Sequence, residues 1–365
     1  MSVVRANTYQ DASGGSNAVF SGVASPPNSM GFRNRIINGN MVIDQRNAGA
    51  AVTANGAYPL DRFVVAINSG SQSVQRSTVA PAGFVNSLAW TVTTGGAPSA
   101  ATQNSIRQVI EGFNVADLAF GTASAAAVTL SFWVRSSVTG TFSGSVLNGG
   151  YTRSYVYTYT INSANTWEYK TVAIAGDTTG TWATDNTAGF RVTFDTGSGS
   201  NFNGTAGAWN AGEFYRASGA NSIAGTTGAT FYITGVQLEA GTNASAFEQI
   251  DYGRELIMCQ RYFVKTYGQS VAVPTNSSGG FLRTRSFSGT YSAFVWLLPV
   301  SMRTAPTAVI YNQNTSAVNS WRNLDASTDA AANVSTTGEQ SITVESSALV
   351  AGATYAFQLT GSAEL

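Results

Sequence analysis

Strict alternation of apolar and polar residues over short stretches is the feature that most constrains the fold of this chain. In "VTLSFWVR" the apolar face consists of Val128, Leu130, Phe132 and Val134. The opposite face consists of Thr129, Ser131, Trp133 and Arg135. A period of two is typical of an antiparallel strand with one face in a core and the other towards water. "GFRVTFD" repeats this pattern: Phe190, Val192 and Phe194 point inward, and Arg191, Thr193 and Asp195 point outward.

Further strands are predicted on both sides of these two. "SYVYTYTI" and "EYKTVAI" are rich in aromatic and β-branched residues, which favour strands. Clusters of Asn, Gly and Ser separate the stretches at the spacing of a β-sandwich. "SIRQVIEGF" fits either a helix or a strand through Ile106, Gln108 and Ile110, and its neighbours favour the strand. "NRIINGNMVIDQR" is interpreted as the first strand, with turn residues around it.

The stretch "GATFYITGVQLEA" changes face at a glycine. Phe231 and Ile233 share one face, whereas Val236 and Leu238 share the other. One extra residue resets the alternation, and glycine tolerates the irregular backbone. We therefore predict a β-bulge at Gly235.

Charged residues, which make up only 10% of the chain, are concentrated in "DYGRELIMCQRYF". This stretch predicts about three helical turns over residues 251–263, with Asp251 as a possible N-cap. Alternating stretches such as "SAFVWLLPVSM" resume after it. The helix is therefore predicted to lie at a junction, followed by a smaller β domain over residues 264–365.

Composition removes several classes of function. The chain has no histidine and a single cysteine, Cys259, which removes His-based catalysis, intrachain disulfides and Cys/His metal sites. Lys+Arg and Asp+Glu balance at 19 each, without the basic surplus of a nucleic-acid binder. No apolar run approaches the ~20 residues of a membrane span, and the first residues do not read as a signal peptide. We expect synthesis in a cytoplasm, and neither a nucleic-acid partner, membrane insertion nor a cofactor.

Several separated blocks, in order, resemble a family of bacteriophage tail-fibre and virion-associated proteins. The blocks are "RIINGNMVIDQR", "YPLDRF", "LSFWVRSSVTGTFS", "NTWEYKTVAIAGDTTGTW" and "FYITGVQLEAGTNASAFEQIDYGRELIMCQRYF". The resemblance runs from about Arg35 to Phe263 and is weaker through "VSMRTAPTAVIYN". It implies a jelly-roll domain similar to carbohydrate-binding modules over residues 35–250, in a rigid virion appendage that is commonly a homotrimer. The expected fold is thus all-β: a jelly-roll β-sandwich, a junction helix and a smaller C-terminal β-sandwich.

Aromatic residues supply the candidates for glycan binding, because sugar rings stack on aromatic faces. Tyr155, Tyr157 and Tyr159 fall on one strand face and form either a buried or interchain stripe or a sugar platform. Trp182 and Trp209 lie in Gly/Asn/Asp-rich stretches, where a tryptophan outside the core is a stronger ligand candidate.

The charged residues of the helix are interpreted as structural. Asp251, Arg254, Glu255 and Arg261 are predicted to pair along the helix or with a neighbouring chain at a trimer axis. No catalytic residue and no metal site is predicted. A Ca²⁺ site built from loop carboxylates is possible in a jelly roll, but no ligand spacing supports it.

The function that these features favour is a non-enzymatic tail-fibre subunit displayed on the virion. It would attach to host-surface polysaccharide, and several copies would raise avidity. Residues 1–34, polar and rich in Gly, Ser and Pro, are either an unstructured leader or the segment that attaches to other virion proteins. The alternatives are a capsid decoration or head-fibre protein, and a polysaccharide depolymerase with a pair of carboxylates in a cleft.

Overall fold

The structure, a computed structural model, describes residues 3–5, 8–10, 32–277, 279–286 and 289–365. The chain divides into two units, Met1–Arg33 and Asn34–Leu365. In the first unit, the strands β1 (Val3–Arg5) and β2 (Thr8–Gln10) pair antiparallel. The rest of the predicted virion-attachment segment 1–34, apart from its last three residues, lies outside the described residues.

The larger part of the second unit contains two facing antiparallel sheets. Their strands are β3 (Phe63–Ile67), β4 (Ser71–Ser77), β5 (Ser87–Thr94), β6 (Asn104–Glu111), β7 (Val128–Ser136), β8 (Gly140–Asn148), β9 (Arg153–Ile161), β10 (Glu168–Ile174), β11 (Ala188–Asp195), β12 (Asn203–Gly204), β13 (Trp209–Ala211), β14 (Arg216–Ala217) and β15 (Thr230–Ala240). The front sheet has the order β10-β7-β15-β5-β4 and the back sheet the order β13-β9-β8-β11-β6-β3. The short strands β12 and β14 pair parallel beside them. Short 3₁₀ turns occur at Gly112–Asn114, Ala116–Leu118 and Ser200–Phe202.

The inner faces of the two sheets form one large apolar core. The inward residues predicted for "VTLSFWVR" and "GFRVTFD" all lie in it, each at most 1% exposed. "SIRQVIEGF" forms strand β6 up to Glu111, as its neighbours indicate. The period of two thus identified the core faces correctly.

The outward faces are less exposed than the alternation predicts. On β7, Thr129 and Ser131 are buried, and the Thr129 hydroxyl donates to the carbonyl of Gly241 at 2.8 Å. On β11, Thr193 and Asp195 are fully buried. Chain segments fold back over these faces, and strand periodicity does not encode where such segments go.

Residues 34–62 contain no named strand, so the strand predicted for "NRIINGNMVIDQR" is wrong. Asn38 instead adopts the left-handed conformation, with φ of 61°. Its side chain donates to the carbonyls of Ile43 and Asp61 and accepts from the amide of Ile43 at 2.9 Å. An Asn side chain that replaces backbone partners stabilises a compact turn. The first strand of the sandwich is β3.

The remaining elements are one helix and nine strands among the described residues. They are α1 (Tyr252–Gln260), β16 (Phe263–Lys265), β17 (Leu282–Arg285), β18 (Ser292–Leu297), β19 (Thr307–Asn312), β20 (Ser320–Asn323), β21 (Asp329–Ala331), β22 (Asn333–Gly338), β23 (Ser341–Ser346) and β24 (Thr354–Ser362). Asp251 is the N-cap of α1, because its carboxylate accepts from the amide of Arg254 at 3.0 Å. The helix is shorter than predicted, since Phe263 already pairs with β24. None of the described helices is long and apolar enough to cross a membrane.

The C-terminal strands form a second, smaller sandwich. Strand β24 is central to one sheet and pairs with β16, β17, β19 and β20. The other sheet has the order β18-β23-β22. Trp321 and Phe357 stack at 4.7 Å in the apolar core between them. The architecture is therefore all-β, with one short helix between two sandwiches.

Candidate functional site

The outward face of the front sheet carries a cleft lined by aromatic rings, which we call the aromatic groove: Phe84, Trp133, Tyr169 and Phe247 around Gly235. Trp133 on β7 lies directly opposite Tyr169 on β10, and their ring centroids are 5.4 Å apart. Phe84 and Phe247 meet edge to face at 5.2 Å. Tyr169 is 42% exposed, so the pair is open to solvent.

Gly235 forms the floor of the groove. Its φ is +59°, and the register of β15 against β7 shifts between Thr234 and Gln237, which confirms the predicted bulge. A Cβ at this position would lie 2.6 Å from the Phe84 ring and 3.1 Å from the Trp133 ring. The missing side chain therefore lets both rings rest on the backbone.

One wall of the groove is the loop after β15, which contains Phe247. Two buried side chains of β15 hold this loop on the sheet. Glu239 accepts from the amide and hydroxyl of Ser245 at 2.8 and 2.6 Å. Gln237 accepts from the amide of Glu248 at 2.8 Å. The position of the Phe247 ring is thus fixed by hydrogen bonds beneath it.

The other wall is the loop between β4 and β5, which contains Phe84. The amide of Phe84 donates to the carbonyl of Pro81 at 3.1 Å. Thr234, beside the bulge, donates its hydroxyl to the carbonyl of Asn86 at 2.7 Å. Both walls are therefore anchored to strand β15, on either side of its bulge.

The dimensions and chemistry of the groove suit a sugar. Its volume is about 660 Å³, in the range of small-ligand sites. Aromatic faces provide flat apolar surface, and Ser245 and Gln249 place polar groups beside them. An open, preformed cleft of this kind stacks against the apolar face of a pyranose and leaves hydroxyls free to hydrogen-bond.

The three tyrosines predicted as a sugar platform lie in the core instead. Tyr157 and Tyr159 are 1% and 6% exposed, and burial raises the pKa of both hydroxyls well above the usual value. The Tyr157 ring passes over Gly144, and its hydroxyl donates to the carbonyl of Thr193 at 2.8 Å. Tyr155 is 9% exposed. The three tyrosines thus match the buried stripe, which was the first of the two alternatives. Glycan binding at these positions stays a prediction, and their burial argues against it.

Trp182 and Trp209 pack together at one end of the same core. Their ring centroids are 5.4 Å apart, and Phe120 lies 4.8 and 5.8 Å from them. The indole N–H groups donate to the carbonyls of Thr179 and Ala175, at 3.0 and 2.7 Å. Trp209 belongs to strand β13 and packs against Tyr155 at 5.4 Å. The five predicted residues thus contribute to one interior rather than to an open surface.

The four charged residues predicted at an oligomer junction separate into two groups. Arg261 forms an ion pair with Glu111 of β6 at 2.5 Å, and Glu255 accepts from the amide of Asn38. These two therefore connect the helix to the jelly-roll sandwich of the same chain. Asp251 and Arg254 lie exposed, 3.9 Å apart.

The Arg261–Glu111 pair belongs to a group of buried and half-buried charges, which we call the junction network: Arg46, Asp61, Arg62, Glu111, Arg261 and Glu364. Glu364, just past β24, accepts from Arg46 at 3.0 Å and from Arg62. The Arg62 guanidinium lies 3.5 Å from the centroid of the Tyr262 ring. Ion pairs between residues so far apart in sequence fasten the two sandwiches together within one chain.

The acidic side chains near the junction network are not grouped as metal ligands would be. Among the residues that the structure describes, no group of three or more Cys, Asp or Glu side chains is arranged to hold a metal ion.

Lys265, beside the junction network, is buried, and its ammonium group donates to the carbonyl of Val271 at 2.7 Å. Burial lowers the pKa of its ammonium group to about 8.

The residues of the aromatic groove were not among the sequence candidates. A signal was present, because Trp133 occupies the nominally polar face of "VTLSFWVR". Tyr169 likewise shares one face of "EYKTVAI" with Thr171 and Ala173. The sequence does not show that Trp133 pairs with Tyr169, or that Phe84 and Phe247 pack around Gly235.

No protein-family model matches the chain, and no curated protein matches it. Similar solved structures include the tailspike protein 4 enzymatically active domain of bacteriophage CBA120, at 12% identity and a TM-score of 0.32 over 57% of this chain. The match spans only 21% of that phage chain.

Carbohydrate-binding modules are also among the similar structures. The CBM22-1 xylan-binding domain from Paenibacillus barcinonensis is 11% identical, with a TM-score of 0.26 over 54% of this chain and 99% of that one. The tandem CBM22-1–CBM22-2 domain from the same organism is 13% identical, with a TM-score of 0.26 over 87% and 92%. At these values, the sandwich architecture rests on the strand pairing of the chain itself.

Proposed function

We propose that this chain is a glycan-binding subunit of a phage virion fibre, and that the aromatic groove binds polysaccharide on the host surface. The observation that carries the proposal is the open pair of Trp133 and Tyr169 beside the edge-to-face pair of Phe84 and Phe247. Rings that face solvent in a preformed cleft lose little conformational freedom on binding.

Binding without cleavage is part of the proposal. Glycosidases use two carboxylates on either side of the scissile bond. The groove is lined by rings, small residues, one serine and one glutamine. This lining supports recognition of a sugar rather than its hydrolysis.

Display on a virion as a homotrimer rests on the resemblance of the quoted sequence blocks. A single open groove gives weak affinity, and several grooves on one particle raise avidity without new contacts. Host attachment by a tail fibre is the role in which this gain matters most.

The experiment measures binding of the purified full-length protein to immobilised bacterial polysaccharides. The same samples are then assayed for released reducing sugar. We expect Tyr169→Ala to weaken binding about 10-fold, equivalent to one lost stacking contact. Tyr291→Ala is the matched control, because Tyr291 is a similarly exposed tyrosine, at 56%, in the C-terminal sandwich. Equal binding by both variants, or release of sugar by the wild type, would contradict the proposal.

A further inference from the structure

A second row of outward side chains lies next to the aromatic groove on the front sheet. Arg135 follows Trp133 by two residues on β7, so both side chains leave the same face, about 6.8 Å apart along the strand. Arg135 pairs across the ladder with Tyr232 of β15, and its guanidinium carbon lies 5.0 Å from the centroid of that ring. The Tyr232 ring lies 6.2 Å from Trp167. The aromatic surface therefore continues past the groove and includes a positive charge.

The Arg135 guanidinium is held in place without being neutralised. Its Nε donates to the carbonyl of Asn165 at 2.9 Å. None of the ion pairs formed by the described residues includes Arg135, and its two terminal nitrogens make no hydrogen bond to them. One edge of the guanidinium is thus fixed by the backbone, and the opposite edge is available to a ligand.

The charge on this face is positive where a ligand has access. The register of the five strands places two charged side chains at outward positions, Arg135 and Glu239. Glu239 is 3% exposed and is covered by the loop that it holds through Ser245. Among the outward side chains of the five strands, Arg135 is therefore the one charge that a ligand can reach.

We propose that the groove takes an acidic glycan, whose sugar ring stacks on the exposed faces of Trp133 and Tyr169 while an anionic substituent binds Arg135. A guanidinium presents two parallel N–H donors, which match the two oxygens of a uronic acid carboxylate. Stacking on Tyr232 orients the plane of the guanidinium before the ligand arrives. A phosphate substituent offers the same pair of oxygens. This inference rests on the proposed function and adds the class of sugar to it.

The test compares each charged polysaccharide with a neutral form of the same backbone. The probes are polygalacturonate and its methyl ester, hyaluronan and its carboxyl-reduced form, and phosphomannan before and after phosphatase treatment. We expect the full-length protein to bind at least one charged form about 10-fold or more tightly than its neutral form. Preference for a carboxylate pair or for the phosphomannan pair identifies the source of the anion.

The variants isolate the contribution of Arg135. Arg135→Gln should remove the preference for the charged form and leave binding of the neutral form unchanged, and Arg135→Lys should restore part of the preference. Arg283→Gln is the matched control, because Arg283 is an exposed arginine that also stacks on a ring, 4.7 Å from Phe281. It should behave as the wild type.

Two results overturn different statements. Equal wild-type binding to charged and neutral forms, or a preference that persists in Arg135→Gln, overturns the acidic-glycan inference while glycan binding stands. Failure of the wild type to bind any of the six probes counts against the proposed function itself.

Discussion

The junction network and the aromatic groove combine the same kinds of side chain, arginines and aromatic rings, in opposite ways. At the junction, Arg62 lies over Tyr262 and is also paired with Glu364. In the second row beside the groove, Arg135 lies over Tyr232 and has no carboxylate partner among the described residues. The Arg62 side chain is 2% exposed, whereas Arg135 is partly exposed to solvent beside an open cleft.

This difference separates structural from recognition roles better than residue type does. A buried arginine must find its counter-charge within the chain, because an uncompensated buried charge costs several kcal/mol. A solvent-facing arginine keeps its hydration until a ligand replaces it. The charged helix segment, which is conspicuous in the sequence, thus helps to join the two sandwiches. Trp133, which is inconspicuous in the sequence, lines the candidate site.

The largest effect is expected where the junction network is broken. Arg62→Ala removes one of the two arginines that pair with Glu364 and the cation over Tyr262, so we expect the free energy of unfolding to fall by about 3 kcal/mol. Denaturant unfolding of Arg62→Ala and Arg135→Ala gives the comparison, and the second variant should lose only about 1 kcal/mol, through its hydrogen bond to Asn165 and its contact with Tyr232. Similar losses in both would show that the two arginines do not differ in the way that their burial indicates.

Lys265, beside the junction, predicts a gain of stability at alkaline pH. Its ammonium group has a pKa of about 8 in the folded chain, because burial disfavours the charge, and about 10.4 when unfolded. Between these values the unfolded state binds more protons at this side chain, so Lys265 should contribute a rise of about 2 kcal/mol from pH 8 to pH 10. The buried Cys259 thiol, whose pKa burial raises well above its usual value, contributes in the opposite direction over the same range.

The measurement is the free energy of unfolding across this range in the wild type and in Lys265→Met. The variant has no ammonium group to deprotonate, so the stability of the wild type relative to the variant should rise by about 2 kcal/mol from pH 8 to pH 10. Above pH 10 the raised pKa of Tyr262, about 12 through burial, should lower the stability of both proteins. A constant difference between the two proteins would show that Lys265 does not contribute to the pH dependence.

At the groove, Gly235→Ala should affect binding more than stability. The left-handed backbone costs an alanine about 1–2 kcal/mol, and the new Cβ displaces the rings of Phe84 and Trp133. We expect that loss in unfolding experiments together with loss of polysaccharide binding. Gly228→Ala is the control, because Gly228 also has a positive φ, +81°, but has no atom near its Cβ position. Retained binding in Gly235→Ala would show that ligand does not contact these rings.

The smallest effect is expected on the solvent-exposed side of α1. Arg254 and Asp251 form an exposed pair, so Arg254→Ala should change stability by less than about 0.5 kcal/mol. Light scattering of the same variant tests whether this side holds a homotrimer. A lower mass at unchanged stability would support the interchain role that the sequence suggested, and an unchanged mass would contradict it for Arg254.

The sequence by itself determined the class of fold and the identity of its core faces. Alternation placed Phe132 and Phe194 inward, the phase change located the bulge at Gly235, and Asp251 was identified as a helix cap. These features depend on neighbours within a few residues, where steric and hydrogen-bonding rules are local. They therefore follow from the order of residues alone.

Only the tertiary structure decided which polar faces are covered and which rings remain open. Asp195 and Trp133 both occupy outward strand positions, yet the first is fully buried and the second lines a cleft. Glu255 and Arg254 are adjacent in the helix, yet one is fastened to Asn38 and the other is exposed. The physical reason is that burial depends on segments distant in sequence, whose packing over a face leaves no periodic signal in the strand that they cover.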